Sequence, residues 1–172
     1  AVLRERGLLR ETAGKIECDA WVVPEGGSAL VYVTDPANRA RLVPELKRAF
    51  AGVEGIDRVF EPADYDALGY PSPERNDQGP DLVLAAKDGY SFSGAHTGEA
   101  VIDIPPGASP GSHGYLNYDP DMDAILVAWG RGVKRGARLD RARVFDVGPT
   151  IARLLGLAMT GVDGRALTEL FE

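Results

Sequence analysis

Ala20-Trp21-Val22-Val23-Pro24-Glu25-Gly26-Gly27-Ser28-Ala29-Leu30-Val31-Tyr32-Val33-Thr34 holds two apolar, β-branched runs on either side of Glu25-Gly26-Gly27-Ser28. That composition predicts two antiparallel strands, 20–24 and 29–34, joined by a hairpin turn. Asp35-Pro36 follows as a helix N-cap with proline at the first helical position, and Ala40, Leu42, Val43, Leu46, Ala49 and Phe50 fall near helical spacing. Pro44 lies inside this pattern and either kinks the helix or starts its second half. Ile56 to Phe60 reads as a strand and Pro62 to Leu68 as a short helix closed by Gly69. Tyr70 to Pro80, with three prolines, reads as an irregular loop, and Asp81 to Lys87 as a further strand that Asp88-Gly89 turns into Tyr90-Ser91-Phe92. Residues 20–92 thus spell β-β-α-β-α-β, a split βαβ-like α+β module with an antiparallel sheet and helices on one side.

Toward the amino terminus, Val2, Leu3, Leu8 and Leu9 alternate with charges and are interrupted by Gly7, a helical or helix-end pattern with a packing role. Toward the carboxy terminus, residues 93–110 are rich in Gly, Pro, Ser and Ala around one apolar run, Ala100 to Ile104, and this is the expected boundary to a second region. There, Asp123 to Trp129 reads as a buried strand, Leu139 to Val144 as another, and Ile151 to Leu155 as a helix ended by Gly156. A last short helix follows Asp163-Gly164-Arg165-Ala166-Leu167. The expected organisation is therefore a leading segment, 1–19, the α+β module, 20–92, and a closing region, 93–172.

Composition narrows the function classes. At 172 residues, 44% hydrophobic and 26% charged, the chain is long enough for a sizeable core without disulfides. Its single cysteine, Cys18, cannot pair internally, leaves the compartment open, and has no neighbouring His or basic cluster to activate it as a nucleophile. A net charge of -7 argues against binding a nucleic acid polymer. The six basic residues between Arg131 and Arg143, set among Gly, Val, Ala and Leu, read as a solvated strand and turn without aromatic stacking platforms. No apolar run approaches the roughly 20 residues of a membrane span. The first ten residues contain neither an apolar signal core nor an initiator Met.

The 2 histidines bound any metal or acid–base chemistry. His113 stands in Gly111-Ser112-His113-Gly114-Tyr115, where flanking glycines leave an imidazole accessible. It reads either as a ligand or catalytic group, or as a turn histidine bonded to a neighbouring carbonyl. His96 lies in the polar 93–99 loop and reads as a substrate or metal contact or as a surface residue. Asp119, Asp121 and Asp123 are spaced like a calcium loop, yet Pro120 interrupts them and the required Gly and distal Glu are missing.

Taken in order, Gly111-Ser112-His113-Gly114-Tyr115, Asp121-Met122-Asp123-Ala124, Trp129-Gly130-Arg131-Gly132-Val133-Lys134-Arg135-Gly136, Asp146-Val147-Gly148-Pro149-Thr150-Ile151-Ala152-Arg153-Leu154-Leu155-Gly156 and Asp163-Gly164-Arg165 carry a likeness that no one of them would alone. The chain resembles the carboxy-terminal part of the type I phosphodiesterase/nucleotide pyrophosphatase family, a branch of the alkaline phosphatase superfamily. Pro80-Asp81-Leu82-Val83-Leu84 to Asp88-Gly89-Tyr90 resembles the strand before this block. The resemblance implies an alkaline phosphatase-like α/β core holding two zinc ions, and hydrolysis of small phosphate esters through a phospho-enzyme on Thr or Ser. It makes His113 a zinc ligand, and leaves His96 and Tyr115 as candidate substrate contacts. Thr150 corresponds to a structural helix start, not to the nucleophile. The family's nucleophile loop and its remaining Asp and His ligands have no counterpart between residues 1 and 110. The chain is therefore expected to be a fragment whose partner is the missing amino-terminal half of the same protein, catalytically silent alone, with neither zinc site complete. The alternative is a non-catalytic ligand- or protein-binding domain of the same fold.

Overall fold

The computed structural model describes all 172 residues and is a mixed α/β structure with two antiparallel sheets, compatible with an α+β fold. It divides into two compact units, 1–123 and 124–172. The boundaries expected at 19/20 and 92/93 fall inside the first of them.

The first unit opens with α1 (Val2–Glu5), which Gly7, at φ 69°, brings to an end. The expected helical pattern stops there, because β1 (Leu9–Thr12) and β2 (Lys15–Cys18) form an antiparallel hairpin. Its two-residue turn, Ala13 at φ 51° and Gly14 at φ 77°, has both central residues left-handed, the geometry that matches strand twist. Then come β3 (Ala20–Pro24) and β4 (Ser28–Val33), paired in the register Ala20↔Val33 to Pro24↔Ala29 that the hairpin composition predicts. Asp35 caps the next turn by accepting a hydrogen bond from Ala37 N–H at 3.0 Å, and α2 (Arg39–Ala51) runs on from it. Pro44 sits within α2 without ending it.

After β5 (Ile56–Phe60), a short turn leads to α3 (Tyr65–Leu68), closed by Gly69 at φ 75°, and the chain returns through β6 (Leu82–Ala86). The sheet order is β3-β4-β6-β5, with β6 antiparallel to both β4 and β5. It follows that β4 and β5 are parallel to each other, joined by α2, with β6 inserted between them: a split βαβ unit.

Both faces of this sheet are covered. On one, Ala29, Val31, Leu82 and Leu84 meet Leu42, Leu46 and Phe50 of α2 together with Leu3, Leu8 and Leu9. On the other, Val83 and Ala85 meet Tyr65 of α3 and Leu116. The helices therefore flank two faces, not the single side expected. The sequence of β6, apolar at every position, reflects a strand buried front and back.

The second unit contains α4 (Val147–Leu154), ended by Gly156 at φ 71°. Its final residues fold back through an isolated bridge between Val133 and Phe171. The strands expected at 100–104, 123–129 and 139–144 do not form. Ile125, Val127 and Trp129 are 92%, 81% and 96% exposed, although the run Ala124 to Trp129 has the composition of a buried strand. Apolarity marks a segment for burial, but a strand exists only where another strand supplies its hydrogen bonds. No helix of the chain is long and apolar enough to cross a membrane.

Candidate functional site

The Gly-Ser-His-Gly-Tyr segment is held against the β3–β4 turn. Gly27 N–H donates to the His113 carbonyl at 2.6 Å. A Cβ on Gly26, whose φ is +87°, would overlap that same carbonyl, and one on Gly114, φ +71°, would overlap the Glu25 carbonyl. A Cβ on Gly27 would collide with the ring of Tyr115. Glycine is thus required on both sides of the contact, for left-handed backbone at Gly26 and Gly114 and for close approach at Gly27. The Tyr115 hydroxyl donates to the Tyr90 carbonyl at 2.6 Å, and Phe92 N–H donates to the Gly26 carbonyl at 2.7 Å. Tyr90 and Phe92, expected to continue a strand, instead brace this turn.

These contacts use the backbone of His113 and leave its side chain exposed. Beside them, Gly27, Tyr115, Tyr118, Asp57, Lys87 and Asp119 contribute to a cavity of about 190 Å³. Tyr118 lies under the Arg58 guanidinium, 5.3 Å from the ring centroid, and its phenol is raised above its ordinary value, by burial first and by Asp57 next. Tyr90 titrates higher than an ordinary phenol because its hydroxyl donates to Glu54 at 2.9 Å.

Of the candidate residues, His113 and Tyr115 share this loop, whereas His96 is half-buried in the separate 93–99 loop. No group of three or more His, Cys, Asp or Glu side chains is arranged to hold a metal ion. A zinc site needs three or four protein ligands, so the residues of this chain do not by themselves fit one. Asp119 accepts a hydrogen bond from Asp121 N–H at 3.0 Å, capping the turn Pro120–Met122, which accounts for the aspartate spacing in structural terms. Burial pushes the Cys18 thiol up, away from the thiolate a nucleophile needs.

Two further motifs converge in the second unit. The buried carboxylate of Asp146 accepts from Arg143 N–H at 3.0 Å and Arg165 N–H at 2.9 Å, tying Asp163-Gly164-Arg165 to the start of α4. The Thr150 hydroxyl donates to the Asp146 carbonyl at 2.6 Å and accepts from Leu167 N–H at 3.0 Å, so it is committed to structure. A Cβ on Gly164 would overlap the Phe145 carbonyl.

The Arg165 and Arg143 amides hold the Asp146 carboxyl below its ordinary value of 3.8. The Arg165 guanidinium, 2.7 Å away, lowers Glu169 from 4.5 to about 2. A carboxyl with a lowered folded-state pKa stabilises fully above its unfolded value and loses that contribution as pH falls toward the folded one. The Asp146 tie is therefore expected to weaken as pH falls below the ordinary 3.8 of its carboxyl, while the exposed Arg165–Glu169 pair titrates between 4.5 and about 2. Amide shifts of Arg143 and Arg165 should titrate in this acid range. In Asp146→Asn the Arg143 amide, which meets the Asp146 carboxylate alone, should not, and an Arg143 titration that survives the substitution would assign the transition to another group.

Gly26 and Gly27 read from the sequence only as a hairpin turn and Asp81 only as a strand start, because their further roles depend on partners distant in the chain. The pairing of two adjacent glycines in a hairpin turn with two more around His113 is the available signal. No protein-family model, curated protein or solved structure matched the chain.

Proposed function

We propose that the chain is the closing portion of a zinc-dependent phosphodiesterase/nucleotide pyrophosphatase-type hydrolase with an alkaline phosphatase-like core, to which it contributes His113 as one metal ligand. The observation that carries this reading is the setting of His113: an exposed imidazole on a loop whose backbone is clamped by glycines on either side. Such a loop presents the imidazole without backbone rearrangement, and its motif is the one that resembles the family's metal-binding histidine. The other ligands and the nucleophile would come from the remainder of the protein, and the chain alone is catalytically silent. In the complete site the metal ions would supply Lewis acidity toward a phosphoryl oxygen. The substrate is a small phosphate ester, with Tyr115 and His96 as its candidate contacts.

The test compares zinc content and bis(p-nitrophenyl) phosphate turnover of the longer protein with those of its His113→Ala variant. Loss of a direct ligand should release one of the two zinc ions and lower turnover by at least about 100-fold, the upper end of what removing a ligand's supporting partner costs a metal site. Unchanged zinc content and rate would overturn the assignment. A second reading, a non-catalytic protein-binding domain, is favoured by the exposed run Ala124 to Trp129. It predicts that no zinc is retained while a partner protein covers that run.

A further inference from the structure

We infer that residues 131–143 form a peripheral docking surface for an anionic lipid bilayer, an inference that goes beyond the hydrolase reading and does not depend on it. Arg131, Lys134, Arg135, Arg138, Arg141 and Arg143 share this stretch with a single acid, Asp140, and all six cations are exposed. Nine of the chain's 19 Lys and Arg side chains form ion pairs with carboxylates, yet none of those nine lies between 131 and 143. In a protein with 26 acidic residues, this run lacks the neutralising partners that cations elsewhere in the chain have. The imbalance extends to its whole unit: 124–172 carries eight cationic side chains against five acidic ones, whereas 1–123 carries eleven against 21.

The net charge of -7 does not decide against this contact. At about 0.1 M salt, charges more than about 10 Å away are largely screened, so an anionic surface responds to the cations next to it. The backbone favours a fluid partner over one of fixed shape. Between Arg131 and Arg143 the only regular pairing is the bridge of Val133 with Phe171, so the cations follow no helical or strand repeat. A protein partner would have to match such positions one by one, whereas lipid head groups rearrange to meet them and the contributions of successive basic residues add. Guanidinium groups, five of the six cations, meet phosphate oxygens bidentately. Val144 and Phe145 follow directly, 87% and 44% exposed, with the Arg143 guanidinium 5.5 Å from the Phe145 ring centroid. Apolar groups beside cations suit the boundary between head groups and acyl chains. A single-stranded nucleic acid would find no aromatic platform for its bases between 131 and 143. Ala124 to Trp129, which the rest of the core covers in the proposed function, has no part in this surface.

The test sediments the full chain with vesicles of phosphatidylcholine containing about one-third phosphatidylserine, and with vesicles of phosphatidylcholine alone, at about 0.1 M salt. Each basic residue at an anionic surface raises partitioning about fivefold, so the anionic vesicles should bind the chain at least about 100-fold more strongly. Salt at about 1 M, where the screening length is about 3 Å, should abolish the difference. Arg138→Gln combined with Arg141→Gln should weaken binding to the anionic vesicles by about 25-fold. Arg6→Gln combined with Arg48→Gln removes the same charge from two exposed cations of the other unit that also lack an ion pair, and should leave binding within about twofold. All four side chains are exposed, so both double variants keep the fold. Equal binding to the two kinds of vesicle, or equal weakening in the two double variants, would overturn the lipid surface. Tighter binding to a single-stranded oligonucleotide than to the anionic vesicles would overturn it too, by making nucleic acid the partner. So would release from the vesicles by inorganic phosphate at matched phosphate concentration, which would reduce the surface to a site for a single anion.

Discussion

Asp81→Ala is expected to lower the stability of the first unit by about 3 kcal/mol, with a drop in Tm of roughly 10 °C. Asp81 is 3% exposed at the start of β6. Its Oδ2 accepts from Val33 N–H at 2.7 Å and its Oδ1 lies 2.8 Å from Arg39 Nε, whose N–H is not aimed along the contact. One carboxylate thus links the end of β4, the first residue of α2 and the lead into β6, the strand inserted into the split βαβ unit. Truncation leaves a buried Val33 N–H without an acceptor, which costs about 1–3 kcal/mol. It also strands the Arg39 guanidinium, though at 36% exposure water limits that part, and the total falls near the lower end for a broken buried pair. Asp81→Asn keeps an acceptor for Val33 and should lose about half as much. Urea unfolding of the two variants and of Arg39→Ala measures this. An Asp81→Ala variant within about 0.5 kcal/mol of the unsubstituted protein would show that the clasp contributes nothing.

The elements that could be read from the sequence are those whose instructions are local. Strands β3 and β4 carry β-branched runs around a Gly-Gly turn, and α2 carries Leu42, Leu46, Ala49 and Phe50 at helical spacing behind an Asp-Pro cap. The β1–β2 hairpin escaped because Leu-Arg-Glu-Thr and Lys-Ile-Glu-Cys are not rich in strand formers, and its turn puts a non-glycine residue, Ala13, at positive φ. Its Leu9, packed with Leu3 and Leu8 against the larger sheet, supplies what propensity does not. In the site, the accessibility of His113 was legible from its flanking glycines. The clamp was not, because it joins positions 26 and 27 to 113–115, and no spacing rule relates residues so far apart. The same limit explains Asp81 and Asp146: each reads as an ordinary aspartate beside a strand or helix, and burial with two polar partners emerges only after folding.

Val127→Asp is expected to leave the isolated chain almost unaffected and, where the chain closes a longer hydrolase as proposed, to destabilise that protein by several kcal/mol. In the isolated chain Val127 is 81% exposed, and substitutions at such surface positions change stability by only about 0.5 kcal/mol. Under the proposed function, the rest of the α/β core covers Ala124 to Trp129, turning an apolar run without a strand partner into a paired one. Full burial is worth about 1.5–3 kcal/mol for each large apolar side chain, so Ile125, Val127 and Trp129 together would contribute on the order of 5–8 kcal/mol to that assembly. An aspartate in the middle forfeits one share and places a carboxylate where no partner is provided. In the chain alone the effect has the opposite sign for association: an exposed apolar stretch of this size promotes self-association, and a charge within it should lower the concentration dependence of the sedimentation coefficient. Paired urea titrations of the chain and the longer protein separate the cases. A loss confined to the longer protein places the run in the covered core. A similar loss in both would mean that Val127 stabilises the chain itself, and no loss in either would mean that the run faces solvent in the complete protein, removing its burial as support for the hydrolase reading.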